Sequence, residues 1–291
     1  EPTGDGLWSS GGNWASGTIA DGAGFTADFT QVNLDAVAVS TAFPGFFRNA
    51  VQLDTPRVIG NLTFADSNPA SPGAWEIYSN DTLTNFITLS AAAPTITVSP
   101  LGPYDTGTGI IDDALIGVNV ASANGFTKNG AGTLALNGPL NDGLHGTVTV
   151  NTGTLRIGAT ATFDYETAVD PQRTQFHLAN GTTMEVAAQV GDIAATGAGV
   201  SIAPGATVTL RKLGDGAFGF AEVGGAGATV NIEAAAGIVR MQQNWAAGGA
   251  LAAVNMTGTT PGTPSGFQFR NNGGGFFNNS FAGTPVTVTN G

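Results

Sequence analysis

Three acids, Asp164, Glu166 and Asp170, flank Tyr165 in a polar stretch. Paired carboxylates are the minimum for hydrolysing a glycosidic bond, one protonating the leaving oxygen while the other acts as base or nucleophile. Carboxylates in an exposed loop explain the stretch equally well. The stretch from Asp105 to Asp112 and Asp113 groups hard oxygen donors of the kind calcium takes. Its spacing matches no calcium loop, and solvated turn acids are the simpler reading. His145 and His177 are the only histidines, and neither has a serine or aspartate beside it in sequence, which places them on turns or at the surface. Lyases built on β-helices set basic residues and calcium against an acidic polysaccharide. With nine basic residues, of which only Lys128 and Lys212 are lysines, that chemistry is poorly provided for. There is no cysteine, which removes disulfides, zinc–thiolate sites and thiol nucleophiles together. No constellation specifies a reaction. The expectation is a non-enzymatic protein with no catalytic, cofactor-binding or metal-binding residues.

Aromatic side chains raise a different possibility. Phe43, Phe46 and Phe47 form one cluster, and Phe267, Phe269, Phe276, Phe277 and Phe281 form another beside the Asn271–Gly275 stretch. Buried, they would plug the ends of a β structure. Exposed, they would stack on sugars or on another subunit. Phe46, Phe47, Phe276 and Phe277, with Val286 and Val288 near the C-terminus, are therefore the candidates for self-association or glycan contact.

Composition narrows the partners. Forty-four glycines and 42% hydrophobic residues accompany only 10% charged ones, the opposite of a disordered chain. A formal net charge of -12 disfavours nucleic acid and anionic membrane surfaces, both of which need basic patches. No stretch reaches the roughly 20 apolar residues of a membrane-spanning helix. The chain opens on Glu1-Pro2-Thr3 without an initiator Met, which suggests a processed start. It stops within a strand-and-turn pattern, which suggests a continuing chain or a covering subunit.

The elements that must carry all these residues are strands. Helical periodicity is nearly absent, because Gly or Pro interrupts almost every window of a dozen residues. Residues 244–254 are Ala-rich but broken by Gly248-Gly249, so a loop or strand pair is expected there. Alternation is clear in residues 58–64, 95–98, 132–136, 146–150, 154–157, 200–202, 206–210, 229–232 and 285–288. Strands starting near Thr133, Thr147 and Thr154 recur after about 7 to 14 residues, joined by similar turns such as Asn129-Gly130, Asn137-Gly138 and Asn151-Thr152-Gly153. A sandwich also gives short strands. Repeated turns, small aliphatic inward residues and scarce charge favour a solenoid, in which stacked like charges would repel. A rung on the order of 20 to 25 residues would give roughly a dozen rungs.

One segment matches a known pattern. Gly125-Phe126-Thr127-Lys128-Asn129-Gly130-Ala131-Gly132-Thr133-Leu134-Ala135-Leu136-Asn137-Gly138 is followed by Gly146-Thr147-Val148-Thr149-Val150-Asn151-Thr152-Gly153-Thr154-Leu155-Arg156-Ile157-Gly158. It resembles the autotransporter-associated β-strand repeat, K-x-G-x-G-T-L-x-L-x-G, a variable loop, then G-x-x-x-V-x-x-G-x-L. Trp8-Ser9-Ser10-Gly11-Gly12-Asn13-Trp14 is similar to the W-x-x-G-G-N-W stretch that opens such secreted proteins. Full repeats do not recur after residue 158, and the chain holds no membrane β-barrel, so barrel-less secreted relatives of bacterial origin fit better. The resemblance implies a right-handed parallel β-helix exported to the cell surface, and implies no activity.

The expected fold is thus an all-β, right-handed parallel β-solenoid, continuous over residues 1–291. Residues 1–124 form entry rungs, 125–158 the recognisable repeat, and 159–291 degenerate rungs with a Phe/Asn/Gly-rich end. A solenoid must cap or pair its end strands, and no charged helical cap is visible. The leading expectation is a secreted, extracellular structural protein whose subunits associate end to end into a filament, sheath or surface layer. A monomeric glycan-binding adhesin is the second reading and a polysaccharide-active β-helix enzyme the third.

Overall fold

The computed structural model describes residues 6–34, 49–68, 70, 73–101, 112–139, 141, 143–158, 161, 174–187, 190–193, 199–220, 223–242, 251–258, 265–270 and 286–290. The chain divides into two compact units, Glu1–His145 with Thr160–Thr162, and Gly146–Ala159 with Phe163–Gly291. Both are built from parallel strands, and the fold is a parallel β-solenoid.

In the first unit the strands are β1 (Gly6–Leu7), β2 (Gly22–Phe29), β3 (Asn49–Gln52), β4 (Arg57–Phe64), β5 (Trp75–Tyr78), β6 (Phe86–Leu89), β7 (Thr95–Val98), β8 (Ala114–Ile116), β9 (Asn119–Ser122), β10 (Gly125–Asn129) and β11 (Thr133–Leu136). One face is the parallel series β1-β3-β5-β8-β11. The long β4 serves two more. Its N-terminal half pairs β6, which pairs β9, while its C-terminal half lies between β2 and β7, and β7 pairs β10.

The second unit holds β12 (Gly146–Val150), β13 (Thr154–Ile157), β14 (Thr174–Leu178), β15 (Thr183–Val186), β16 (Val190–Ile193), β17 (Val200–Ile202), β18 (Thr207–Lys212), β19 (Ala217–Phe220), β20 (Val223–Gly224), β21 (Thr229–Ala234), β22 (Gly237–Gln242), β23 (Ala253–Gly258), β24 (Ser265–Arg270) and β25 (Val286–Asn290). Its three faces are β13-β15-β18-β21-β23-β25, β12-β14-β17-β20 and β16-β19-β22-β24. Strand partners lie from 21 residues apart (Ala217 and Ile238) to 32 (Val254 and Val286). In the first unit the range is 20 (Ala135 and Leu115) to 45 (Gly6 and Val51).

Strand alternation explains the core. In β21, Val230, Ile232 and Ala234 are buried while Thr229, Asn231 and Glu233 are half-exposed. Parallel register then stacks like on like, giving the buried column Leu155–Met184–Leu210–Ile232–Met256. Aromatics fill the first unit's opening rungs: Phe29 stacks on Phe64 with ring centroids 5.2 Å apart, and Trp8, Trp14 and Trp75 pack around it. Their indole N–H groups donate to the carbonyls of Ala20, Trp8 and Ala65. The Trp8–Trp14 stretch therefore closes a core.

All nine expected strands are present. The 206–210 and 229–232 strands run on to Lys212 and Ala234. Within the Ala-rich stretch, Ala253–Gly258 is a strand, and residues 243–250 lie outside the described residues. Among the described residues the only helical turn is Gly11–Asn13, and no helix is long and apolar enough to cross a membrane.

Candidate functional site

Both lysines occupy core positions. Lys128 follows Leu62 and Ile96 in an inward column, and Lys212 sits between Val186 and Ala234; each is fully buried. An isolated buried ammonium is very unfavourable. Each strand here ends at a corner where the chain turns to the next face, and the ammonium reaches the carbonyls of that turn. Lys128 Nζ donates to the carbonyls of Gly130, at 2.5 Å, and Gly132. Lys212 Nζ donates to Leu213 at 2.5 Å, Gly214 at 2.9 Å and Asp215 at 3.2 Å. Glycine is required in these turns. Gly130 has φ +77° and a Cβ there would lie 2.1 Å from the Val98 carbonyl oxygen; Gly214 and Gly216 also have positive φ. Burial pushes each amine down from 10.5 to about 8, against the opposing pull of Asp113 on Lys128 and of Asp215 on Lys212.

The pattern at residues 212–218, Lys-Leu-Gly-Asp-Gly-Ala-Phe, thus repeats the corner of residues 128–134 in another unit. Sequence inspection missed it, because only the lysine and the two glycines are shared.

Asp112 and Asp113 are buried, which corrects their reading as solvated turn acids. Asp113 accepts the backbone N–H of Leu101 at 2.7 Å and of Thr133 at 2.5 Å, so its carboxylate ties the Lys128 corner to a neighbouring segment. Among the described residues no group of three or more His, Asp or Glu is placed to hold a metal. Asp105 lies outside them, as do Asp164, Tyr165, Glu166 and Asp170.

On the outward side of the second unit's longest sheet, register aligns Arg156, Glu185, Arg211 and Glu233 in one column of alternating sign. Glu185 accepts from Arg156 Nε at 2.8 Å and from Arg211 at 2.6 Å, and Arg211 Nε donates to Glu233 at 2.5 Å. The Arg156 and Glu185 side chains are 8% and 6% exposed, so this pair is desolvated, whereas Arg211 is 36% exposed. The equivalent column of the first unit is Ala50–Glu76–Leu115–Ala135, also buried.

His177 stands on the outward side of β14, and its Nδ1 lies 2.8 Å from Ser201 Oγ on β17. The serine hydroxyl is also 3.3 Å from the Phe176 carbonyl. Strand register creates this pair, 24 residues apart in sequence, where sequence reading finds none. A hydroxyl beside an imidazole is the start of nucleophilic catalysis. Acyl transfer also needs N–H donors for the oxyanion, and the N–H groups of Phe176 and Ala203 are spent on the Gly199 and Leu178 carbonyls. His145 is half-buried, and its N–H donates to the Ser122 carbonyl at 2.8 Å.

Of the contact candidates, Val286 and Val288 lie on β25 and are 40% and 62% exposed. Phe46, Phe47, Phe276 and Phe277 lie outside the described residues. Other exposed large apolar residues among those described are Leu7, Phe25, Val58, Leu83 and Phe86 of the first unit and Ile238 of the second.

A scan against family models and searches of curated proteins and of solved structures return no match to this chain.

Proposed function

We propose that this chain is a non-enzymatic, extracellular structural protein whose copies associate through exposed strand edges, as in a filament, sheath or surface layer. The observation carrying this reading is β25. Val286 and Val288 continue the columns of Val254 and Met256, which are buried, yet they are themselves exposed. Two core positions facing solvent, on a strand that is last in its sheet among the described residues, suit the docking of a further strand. The resemblance of residues 125–158 to the autotransporter-associated repeat supports export to a bacterial surface.

Sedimentation velocity over a wide concentration range, with negative-stain microscopy of the same samples, tests the reading. Species growing with concentration, and abolished by Val288→Lys, are expected. A single monomeric species at every concentration contradicts it and turns attention to glycan binding. That second reading draws on exposed Phe25 and Phe86 in the first unit.

A further inference from the structure

The outward side of β2, β4, β7 and β10 carries a two-dimensional grid. Its first column is Thr26–Asn61–Thr95–Thr127, and its second is Asp28–Thr63–Thr97–Asn129. Seven of these eight side chains are neutral, none is aromatic, and each is exposed or half-exposed. Strand geometry fixes the grid at about 4.8 Å between strands and roughly 6.6 Å between alternate residues along a strand.

The grid is also held still. Asn61 Oδ1 accepts the Thr95 backbone N–H at 2.9 Å and the Thr95 hydroxyl at 3.0 Å, and Asn61 Nδ2 reaches the Thr26 hydroxyl at 3.5 Å. β-Branched threonines have few rotamers, so their hydroxyl and methyl groups keep fixed places. Behind the face, Ala27, Leu62, Phe64, Ile96, Val98 and Lys128 are buried in the core and keep the strands in place.

From this grid we infer an ordered-water surface: the face formed by β2, β4, β7 and β10 adsorbs to crystalline ice. Hydroxyl and amide groups at these two spacings offer a regular net of hydrogen-bonding partners to a layer of ordered water. Methyl groups between them fit the hollows of the lattice, and scarce charge limits competing hydration. Flat polysaccharide crystals offer a similar expanse, but their recognition draws on aromatic platforms, and the one exposed aromatic on these strands, Phe25, stands outside the two columns at the irregular start of β2. The second unit gives the contrast. Its longest sheet sets the charged column Arg156–Glu185–Arg211–Glu233 beside its threonines, and charges of that kind disrupt a water lattice.

Nanolitre osmometry of the purified chain, with microscopy of single ice crystals, provides the test. The wild type is expected to open a gap between melting and freezing points and to facet the crystals. Thr97→Lys and Thr127→Lys, each verified as folded by circular dichroism, are expected to lose both effects, while Thr209→Lys on the second unit keeps them. Absence of hysteresis and faceting in the wild type overturns the inference. So does their persistence in both face variants, or pull-down by insoluble polysaccharide without any effect on ice. Monomers suffice for this activity, so its failure is separate from failure of the association proposed above.

Discussion

The corners at Lys128 and Lys212 carry the same fastener in different units and on different faces. One joins β10 to β11 and the other joins β18 to β19, yet both bury an ammonium among the carbonyls of a glycine turn. The shared feature is local: a lysine at the end of a strand or one residue before it, then glycine two residues on and again four residues on. Their surroundings differ. The first corner is braced by Asp113 from another segment, whereas Asp215 of the second belongs to the turn itself. The comparison teaches that the motif answers the needs of a turn, whichever face it leaves.

The largest effects should come from removing the fasteners. Lys128→Ala and Lys212→Ala each lose a buried stem and orphan corner carbonyls, costing about 4 kcal/mol. Hydrogen exchange should show lost protection around the mutated corner, in the first unit for Lys128→Ala and in the second for Lys212→Ala. Equal loss in both units from either variant would break the view that the corners act locally.

Next comes the outward column, where the units diverge most. Glu185→Ala strands Arg156 in a desolvated place and should cost about 3 kcal/mol, read as a lower urea midpoint. Leu115→Ala, in the matching column of the first unit, removes only apolar packing and should cost about 2 kcal/mol.

A smaller effect follows from the amines. With folded values near 8 against 10.5 in the unfolded chain, the unfolded state binds more protons between those two pH values. Stability therefore rises with pH across that window, is fully gained above 10.5 and is lost as pH falls through 8. Urea midpoints measured on either side of the window should show the rise in wild type, and it should vanish in Lys128→Met/Lys212→Met. The smallest effect belongs to the outward pair: Ser201→Ala should cost under about 1 kcal/mol. A fluorophosphonate probe should leave Ser201 unlabelled.

Much of the fold could be read along the chain, because alternation, Asn-Gly turns and the residues 125–158 pattern are all local signals. The pairings that matter for the sites are not local. Arg156 meets Glu185 across 29 residues, Glu185 meets Arg211 across 26, and Arg211 meets Glu233 across 22. Rungs of unequal length erase any fixed period, so neither the charge column nor the His177–Ser201 pair leaves a repeat to find. Lys212 escaped notice because Leu213 and Asp215 replace the Asn129 and Ala131 of the recognisable corner. Asp113 looked like a turn acid because burial by a distant segment has no signature in its neighbours.

Amine-reactive labelling of the native chain, with modified peptides identified by mass spectrometry, tests the account of these corners most directly. Buried ammonium groups bonded to turn carbonyls predict that Lys128 and Lys212 stay unmodified under native conditions and react once the chain is unfolded in denaturant. Rapid native modification of either lysine would contradict it, since an accessible amine cannot be fastening a corner inside the core.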